Sequence, residues 1–179
     1  NEYYFNKYHD NIDISKGVLV YILGGIDAEE HSNRLFHSTM DVLSKMQCDI
    51  PILLKPHAYT EMDTVMSRIA NYDKFHVTYL HPSFLATKAK VFIANGFSNT
   101  FGDAHSFGVK TIEYADYSSC YSEKDLKFLS GKSIDPEYVD FFIDNDSDKF
   151  LTLLNKCLLI SYCESKVTVY EYGDEKKLL

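Results

Sequence analysis

The sequence predicts an α/β fold in which a parallel sheet of about five or six strands carries helices on both faces. Apolar runs alternate strictly with amphipathic segments between residues 17 and 116, and only a few residues connect each to the next. The first run, VLVYILGG at 18–25, is apolar throughout, as expected of a strand covered on both faces. Strict alternation with short connections is typical of right-handed βαβ crossovers, which leave the strands parallel.

The first half of this pattern contains three strands and two helices. The first helix is predicted to start at Asp27, because Glu30 three residues later completes a capping box and apolar residues then recur at helical spacing. The predicted elements are strand 18–25, helix 27–46, strand 51–55, helix 59–72 and strand 75–80.

The second half repeats the alternation and ends in a helix. Pro82 suits the first turn of a helix, and Gly108 suits the position just after the end of another. Asp146 or Ser147 is expected to cap the terminal helix. The predicted elements are helix 82–89, strand 90–95, helix 98–108, strand 110–115, strand 137–144 and helix 146–162.

These elements predict one Rossmann-like domain at residues 17–162. Residues 1–16 are polar with interspersed aromatic residues, and they are expected to form a linker or an N-terminal packing segment. Residues 163–179 alternate briefly and then become charged, and they are expected to form a C-terminal tail.

Composition and charge exclude several classes of function. The formal net charge is -8, and no block of Lys or Arg is long enough to form a nucleic-acid patch, so no nucleic-acid partner is expected. No apolar stretch approaches ~20 residues, so we expect no membrane span, and no signal peptide is recognisable. We therefore expect a cytoplasmic protein, with peripheral attachment at the inner membrane face left open.

The four cysteines form no C-x-x-C pair and no cluster with histidine at zinc-finger spacing. We expect no metal site and no cofactor. The chain begins at Asn1 rather than at methionine, which suggests a fragment of a longer protein.

Polar residues and glycines follow several predicted strands at their carboxyl ends, which meet at one edge of a parallel sheet. Ligands of open α/β sheets bind at this edge. The candidate site residues are Gly24, Gly25, Lys55, His57, His81, Pro82, Ser98, Asn99 and Thr100. Lys55 and His57 are the candidates for a catalytic role because they are cationic or titratable and lie on either side of Pro56. Together these residues predict an anion pocket in an otherwise acidic chain.

Each candidate also has a purely structural interpretation. Gly24 and Gly25 suit a tight turn between strand and helix as well as close approach of a ligand. One residue of the Ser98–Thr100 group would suffice to cap a helix, and three successive polar residues favour an anion site. His81 is equally consistent with a solvated loop. No G-x-G-x-x-G or P-loop motif is present, which argues against dinucleotide and NTPase functions.

The segments LLKPHAYTEM, YLHP and SNTFGDAHSFGVKTIEY, in this order between strands, resemble the C-terminal donor-binding domain of GT-B glycosyltransferases. The resemblance covers about residues 17–120 and is greatest to bacterial capsule transferases, sialyltransferases and the glycerophosphate transferases of teichoic acid synthesis. UDP-N-acetylglucosamine 2-epimerases share the fold and a similar late segment. Ala58 stands where the related K-x-H-P loop carries a second proline.

The resemblance implies roles for the candidate residues. It implies that Lys55 and His57 bind the donor in the first loop and His81-Pro82 in a second. It implies that Ser98, Asn99 and Thr100 contact phosphate and that Asp103 is the helix carboxylate that holds the ribose. The implied function is metal-independent glycosyl transfer from a nucleotide sugar to a glycan or lipid-linked acceptor in surface polysaccharide synthesis. The general base would then lie on a missing N-terminal domain.

Two alternatives remain open at the level of the sequence. The chain is also consistent with half of a sugar-nucleotide epimerase, which would place acid and base groups around the sugar. The second alternative is a non-enzymatic α/β ligand-binding or interaction module. The aromatic content of 15% and the aromatic residues near the N-terminus favour it.

Overall fold

A computed structural model describes residues 2–9, 11–25, 30–117 and 132–159. Asp27 of the predicted capping box, residues 160–162 of the predicted last helix and the predicted tail at 163–179 lie outside the described residues. The described helices are α1 (Glu2–Tyr8), α2 (Glu30–Lys45), α3 (Met62–Ile69), α4 (Pro82–Ala86), α5 (Thr100–Ser106) and α6 (Ser147–Leu159). The described strands are β1 (Val18–Ile22), β2 (Ile52–Lys55), β3 (Phe75–Val77), β4 (Ala89–Ala94), β5 (Lys110–Ala115) and β6 (Phe141–Asp144).

The six strands of the described chain form one sheet in the order β3-β2-β1-β4-β5-β6, and every pair of neighbours is parallel. This confirms the predicted Rossmann-like parallel sheet with five or six strands. The order places β1 and β4 side by side at the point where the chain reverses its direction across the sheet. Such a switch point leaves a crevice beyond the carboxyl ends of the two strands.

Helices cover both faces of the sheet, as the sequence predicts. On one face, Tyr21 and Ile93 pack in a core with Met40 of α2 and Phe150 of α6. On the other face, the core contains Val20 and Phe92 together with side chains from α1, α4 and α5. Because both faces of β1 are buried, all five of its residues are buried, which explains why this strand is apolar without alternation.

Glycine at position 108 closes α5 as predicted. Its φ is 69°, and its N–H donates to His105 O (2.9 Å) while Val109 N–H donates to Ala104 O (3.0 Å). This pair of bonds is the Schellman arrangement, in which a left-handed residue after the helix end satisfies its last carbonyls. At the start of α6, Lys149 N–H donates to Asp146 Oδ1 (2.9 Å), so Asp146 rather than Ser147 is the cap.

Helix α1 packs onto the sheet near its β3 edge. Phe5 is buried in the core that α4 and α5 share, and His9, just beyond α1, contacts Thr78 through Nε2 and Oγ1 at 2.9 Å. Burial lowers the pKa of the His9 imidazole, and the nearby His76 lowers it further. This contact joins the N-terminal segment to the residue that follows β3.

The amino end of β5 is held by a partly exposed polar cluster around Asp140. Its carboxylate accepts from Lys110 Nζ (2.6 Å) and from Thr111 N–H (3.0 Å), and His105 Nε2 lies 3.3 Å away. Burial opposes ionisation of Asp140, but these donors and the nearby positive charges outweigh it and lower the pKa of the carboxyl. The cluster lies at the edge of the sheet opposite the carboxyl ends of the strands.

The structure offers no candidate bilayer span: within the described residues, no helix combines the length and the apolar character that crossing a membrane requires.

Candidate functional site

A cleft of about 600 Å³ lies beyond the carboxyl ends of β1 and β4, at the switch point of the sheet. It has the position and size expected of a ligand site in an open α/β sheet. The described residues that line it are Ile22, Leu23, Gly24, Gly25, His57, Tyr59, Ala94, Asn95, Phe97, Ser98, Asn99 and Thr100. Six of the candidate residues from the sequence are therefore brought together here.

His57 is held at the cleft by the loop between β2 and α3. Its backbone N–H donates to Thr60 Oγ1 (2.8 Å), and the Thr60 hydroxyl donates in turn to Gly24 O (2.8 Å). The side chain of Thr60 thus joins the His57 loop to the end of β1. The sequence predicts that this helix begins at residue 59, whereas α3 begins at Met62. The hydrogen bonds of Thr60 hold the preceding residues in the loop and explain the later start.

The ring of His57 is oriented within this loop. Tyr59 N–H approaches His57 Nδ1 at 3.4 Å, and the two rings lie 5.3 Å apart between centroids. A neutral imidazole that accepts at Nδ1 carries its proton on Nε2. The orientation therefore presents an N–H donor, and both side chains are exposed to a ligand in the cleft.

The start of α5 forms the opposite wall. Ser98 Oγ and Thr100 Oγ1 are 2.9 Å apart, and Thr100 N–H points to Ser98 Oγ at 3.4 Å, so Ser98 caps its own turn. Asn99 makes no capping bond through its side chain and is exposed. This wall therefore combines one local cap with an amide that capping does not use.

Between the two walls, Asn95 and Gly96 follow β4. Gly96 has a φ of 82°, a left-handed backbone conformation that costs free energy for residues other than glycine. Asn95 Nδ2 donates to Thr39 Oγ1 (2.9 Å) and to Tyr114 O (3.2 Å), and Asn95 Oδ1 accepts from the buried hydroxyl of Tyr21. Burial raises the pKa of this tyrosine well above its usual range. The three hydrogen bonds of Asn95 fix its side-chain amide from beneath the cleft.

The electrostatic character of the cleft differs from that of the whole chain. The chain has 26 acidic and 18 basic residues, yet none of the described residues that line the cleft is Asp or Glu. The described part of the lining consists of one imidazole, hydroxyls, amides, glycines and apolar groups. Among the described lining residues, an anion in this cleft meets hydrogen-bond donors and no carboxylate.

Four other candidates do not line the cleft. Lys55 is paired in register with Ile22, so its side chain lies on the same face of the sheet one strand away, and its Nζ lies 3.4 Å from Pro56 O. His81 caps α4, with Nδ1 accepting from Ser83 N–H at 3.3 Å, and the buried Pro82 begins that helix. Asp103 accepts from the hydroxyl of Ser83 and so joins α5 to α4.

A smaller pocket of about 80 Å³ adjoins the cleft on the α2 side. The described residues that line it are Tyr21, Gly24, Gly25, His31, Ser32, Leu35, Phe36, Asn95, Gly96, Ala115, Asp116 and Tyr117. Asp116 is 2% exposed, and its Oδ2 accepts from Arg34 Nη2 at 2.7 Å. The sequence does not predict this pocket, because the pocket requires the end of β5 to lie next to the first turns of α2.

The sequence also predicts no role for Tyr59, Phe97 or Glu113. Tyr59 is 77% exposed and lines the cleft, although its position looked like an ordinary helix start. Glu113 is fully buried in β5, where burial raises the pKa of its carboxyl while hydrogen bonds from Ser133 and Tyr117 oppose the rise. A carboxylate inside an apolar strand was the available signal for Glu113.

No group of three or more His, Cys, Asp or Glu side chains in the described part of the chain is arranged to hold a metal ion.

The comparisons with known proteins show the fold alone. No family model matches the chain, and no curated protein matches it. The UDP-GlcNAc 2-epimerase of Methanocaldococcus jannaschii, solved with UDP-GlcNAc and UDP, has a TM-score of 0.51 and 11% identity over 80% of this chain and 38% of its own. A protein of Listeria monocytogenes described as a UDP-N-acetylglucosamine 2-epimerase has a TM-score of 0.52 and 11% identity, with 82% and 37% covered.

The glycosyltransferase VinC, solved with dTDP, has a TM-score of 0.50 and 10% identity over 80% of this chain and 34% of its own. The chain thus spans little more than a third of the length of each of these proteins. The likeness supports a Rossmann-like domain of the kind found in one half of a GT-B-like fold.

Proposed function

We propose that this chain is the nucleotide-sugar-binding half of a glycosyltransferase of the GT-B class. The observation that carries the proposal is the cleft at the switch point, which is free of carboxylates among its described lining residues although the chain has a net charge of -8. A diphosphate bound there would face His57 on one side and the Ser98–Thr100 turn on the other. The fold of the structural neighbours is consistent with this proposal.

The chemistry follows from the donors in the cleft. When the glycosidic bond of a nucleotide sugar breaks, negative charge grows on the departing phosphate oxygen. Fixed donors stabilise this charge more in the transition state than in the ground state. His57 Nε2–H, the Asn99 amide and the hydroxyl groups of Ser98 and Thr100 are the donors that we assign to this task.

His57 also suits proton transfer. An imidazole in contact with phosphate can supply a proton to the leaving group. Lys55, one strand away on the same face, would add positive charge after a change of rotamer, because its side chain is long and its ammonium is only weakly bonded to Pro56 O. His81, Pro82 and Asp103 keep the structural roles described above.

The proposal includes a second domain. We assign the base that activates the acceptor to that domain, and we assign the acceptor to glycans or lipid-linked chains of surface polysaccharide synthesis, in the cytoplasm at the inner membrane face. These assignments are supported by the resemblance of the KPH and SNTFGDAHSFG segments to such enzymes. The transfer is metal-independent in this proposal.

A sugar-nucleotide epimerase half is the second candidate, because two of the structural neighbours with a TM-score above 0.5 are described as UDP-GlcNAc 2-epimerases. The same cleft would then bind the nucleotide, and the chemistry would occur within the sugar. Incubation of the full-length protein with UDP-GlcNAc separates the two candidates: an epimerase yields a new hexosamine epimer without an acceptor.

The proposal is tested by ligand-induced stabilisation. CMP, CDP, UDP, GDP and dTDP are added to the chain at millimolar concentration, and the unfolding temperature is measured. A ligand at a hundredfold excess over its dissociation constant stabilises the native state by about 2.7 kcal/mol. At least one nucleoside diphosphate is expected to raise the unfolding temperature; if none does, the proposal is wrong.

Three variants locate the binding. His57→Ala and Ser98→Ala remove donors from opposite walls of the cleft, and each is expected to weaken the effective nucleotide about tenfold, as for loss of a hydrogen bond to a charged group. His81→Ala is the matched control because it removes an exposed imidazole from the neighbouring loop, outside the cleft. Equal weakening by all three variants would contradict the assignment of the cleft.

A further inference from the structure

Helix α1 depends on the sheet for its stability. It has seven residues, and an isolated helix of this length does not persist in water. Phe5 is 1% exposed, whereas Tyr3 and Tyr8 are 68% and 59% exposed, so the ring of Phe5 anchors the helix. The contacts of Phe5 and of the residue just beyond α1 therefore decide whether this helix exists.

His9 and His76 meet where α1 joins the sheet. His76 of β3 is paired in register with Leu53, whose side chain lies in the core on the face that α1 covers. Thr78 follows two residues later and continues the hydrogen-bonding ladder to β2, so its side chain lies on the same face as that of His76. His9 Nε2 contacts the Thr78 hydroxyl at 2.9 Å, which makes the two imidazoles neighbours at this interface.

The surroundings of these imidazoles oppose a positive charge. Burial lowers the pKa of both, and the pKa of His9 is lowered further by His76. Asp73, just before β3, acts on His76 in the opposite direction but does not outweigh burial. The α1 helix carries the positive Lys7, and the carboxylate of Asp13 in the following segment accepts from a backbone N–H of its own turn. Strand β2 presents an apolar side chain to His76, and no residue of α4 is charged.

We propose that α1 is an acid-sensitive strap, which binds the face of the sheet at neutral pH and is released when His9 and His76 become protonated. Both imidazoles regain water when α1 leaves the sheet, so the released form binds protons more tightly than the docked form. Docking is therefore fully favourable above the ordinary histidine value of 6.5 and weakens as the pH falls below it. Because Phe5 lies in the same core as Phe101 of α5, release also removes a buried ring from beneath one wall of the cleft.

Amide hydrogen exchange of the chain without any ligand tests the proposal. His9 N–H donates to Phe5 O at 2.7 Å and reports the docking of α1. Leu19 N–H, which donates to Pro51 O at 3.0 Å within the sheet, is the reference. Each exchange rate is compared with the intrinsic rate at the same pH to give a protection factor. We expect the protection of His9 to fall at least about tenfold between about pH 7.5 and pH 5.5, and to lie below that of Leu19 throughout.

Two variants connect this response to the histidines. His9→Gln keeps a nitrogen near the position of Nε2, and His76→Asn leaves the contacts of His9 in place; neither new side chain titrates. Each variant is expected to reduce the tenfold fall to about threefold. His37→Asn replaces an exposed imidazole on α2 and is the matched control, which should keep the whole fall. Phe5→Ala removes the anchor and should abolish protection at residue 9 at both pH values while the sheet stays protected.

Three results would overturn the proposal. The first is a protection factor of His9 that does not change with pH. The second is equal protection of His9 and Leu19 at both pH values, because α1 would then open only together with the whole domain. The third is a full tenfold fall in both His9→Gln and His76→Asn, which would assign the response to other groups. If His9→Gln by itself releases α1 at neutral pH, His76→Asn decides the question. No nucleotide is present in this experiment, so its result does not bear on the proposed function.

Discussion

Substitution of Thr60 by valine tests whether the His57 loop is held in place before a ligand arrives. Thr60 Oγ1 accepts from His57 N–H and donates to Gly24 O, each at 2.8 Å, and valine has nearly the same shape without the hydroxyl. The change removes both bonds and leaves the packing of the side chain almost unaltered. It therefore separates the position of the loop from the chemistry of the histidine.

The expected magnitude follows from these two bonds. A hydrogen bond contributes about 1 kcal/mol net, and less where water can replace the partner. Because Thr60 is partly exposed, we expect the free energy of unfolding to fall by about 1 kcal/mol rather than 2. The loop must then be ordered on binding, so the affinity for the nucleotide should fall about fivefold to tenfold, since 1.4 kcal/mol corresponds to a factor of ten.

Urea denaturation and calorimetric titration of the effective nucleotide measure the two quantities. Thr152→Val is the matched control: its hydroxyl donates to Asp148 O within α6 at 2.8 Å, and Thr152 is not among the described residues that line the cleft. The control should lose stability only slightly and should bind the nucleotide as the unsubstituted chain does. A Thr60→Val protein with undiminished affinity would show that the loop is not ordered by Thr60, and the reasoning would fail.

Three further predictions concern stability. Gly96→Ala should cost about 1 to 2 kcal/mol by urea denaturation because φ is 82° there, whereas Gly24→Ala, with open space around the added carbon and no positive φ, should cost less than about 0.5 kcal/mol. Burial lowers the pKa of His9 and of His76, so their contribution to stability is present above the unfolded value of 6.5 and is lost as the pH falls below it. The urea midpoint should therefore drop between about pH 7 and pH 5, and less steeply in His76→Asn. Asp140→Asn should lower the free energy of unfolding by about 1 to 3 kcal/mol near neutral pH; an unchanged urea midpoint would exclude a structural role for its contacts.

The fold was predictable because local patterns agree with the global arrangement. The run at 18–25 is apolar throughout because β1 lies in the middle of the sheet with helices on both of its faces. Gly108 and Asp146 mark helix boundaries through local backbone requirements, and the structure places them as expected. The predicted strand at 75–80 is longer than β3, which lies at an edge of the sheet and pairs only with β2.

The candidate site was predictable only in part. Gly24, His57 and the residues after β4 meet because carboxyl ends of parallel strands share an edge, which the alternation of elements already implies. His81 was expected beside them, but β3 lies two strands away from β1, and its loop is occupied with starting α4. The position of Asp103 also depends on the packing of α5 against α4, because its carboxylate accepts a hydrogen bond from the hydroxyl of Ser83.

The class of fold, the edge of the sheet that carries the polar residues and the presence of donors on the loops of β2 and β4 all follow from the amino-acid sequence alone. These features depend on contacts between residues close together in the chain and on the parallel pairing that short crossovers impose. Three features depend on the packing of the elements: which loops meet across the switch point, the lack of acidic residues among the described residues that line the cleft, and the position of Asp116 in a second pocket. Strand order sets the distance between loops, and no local pattern in the chain encodes it.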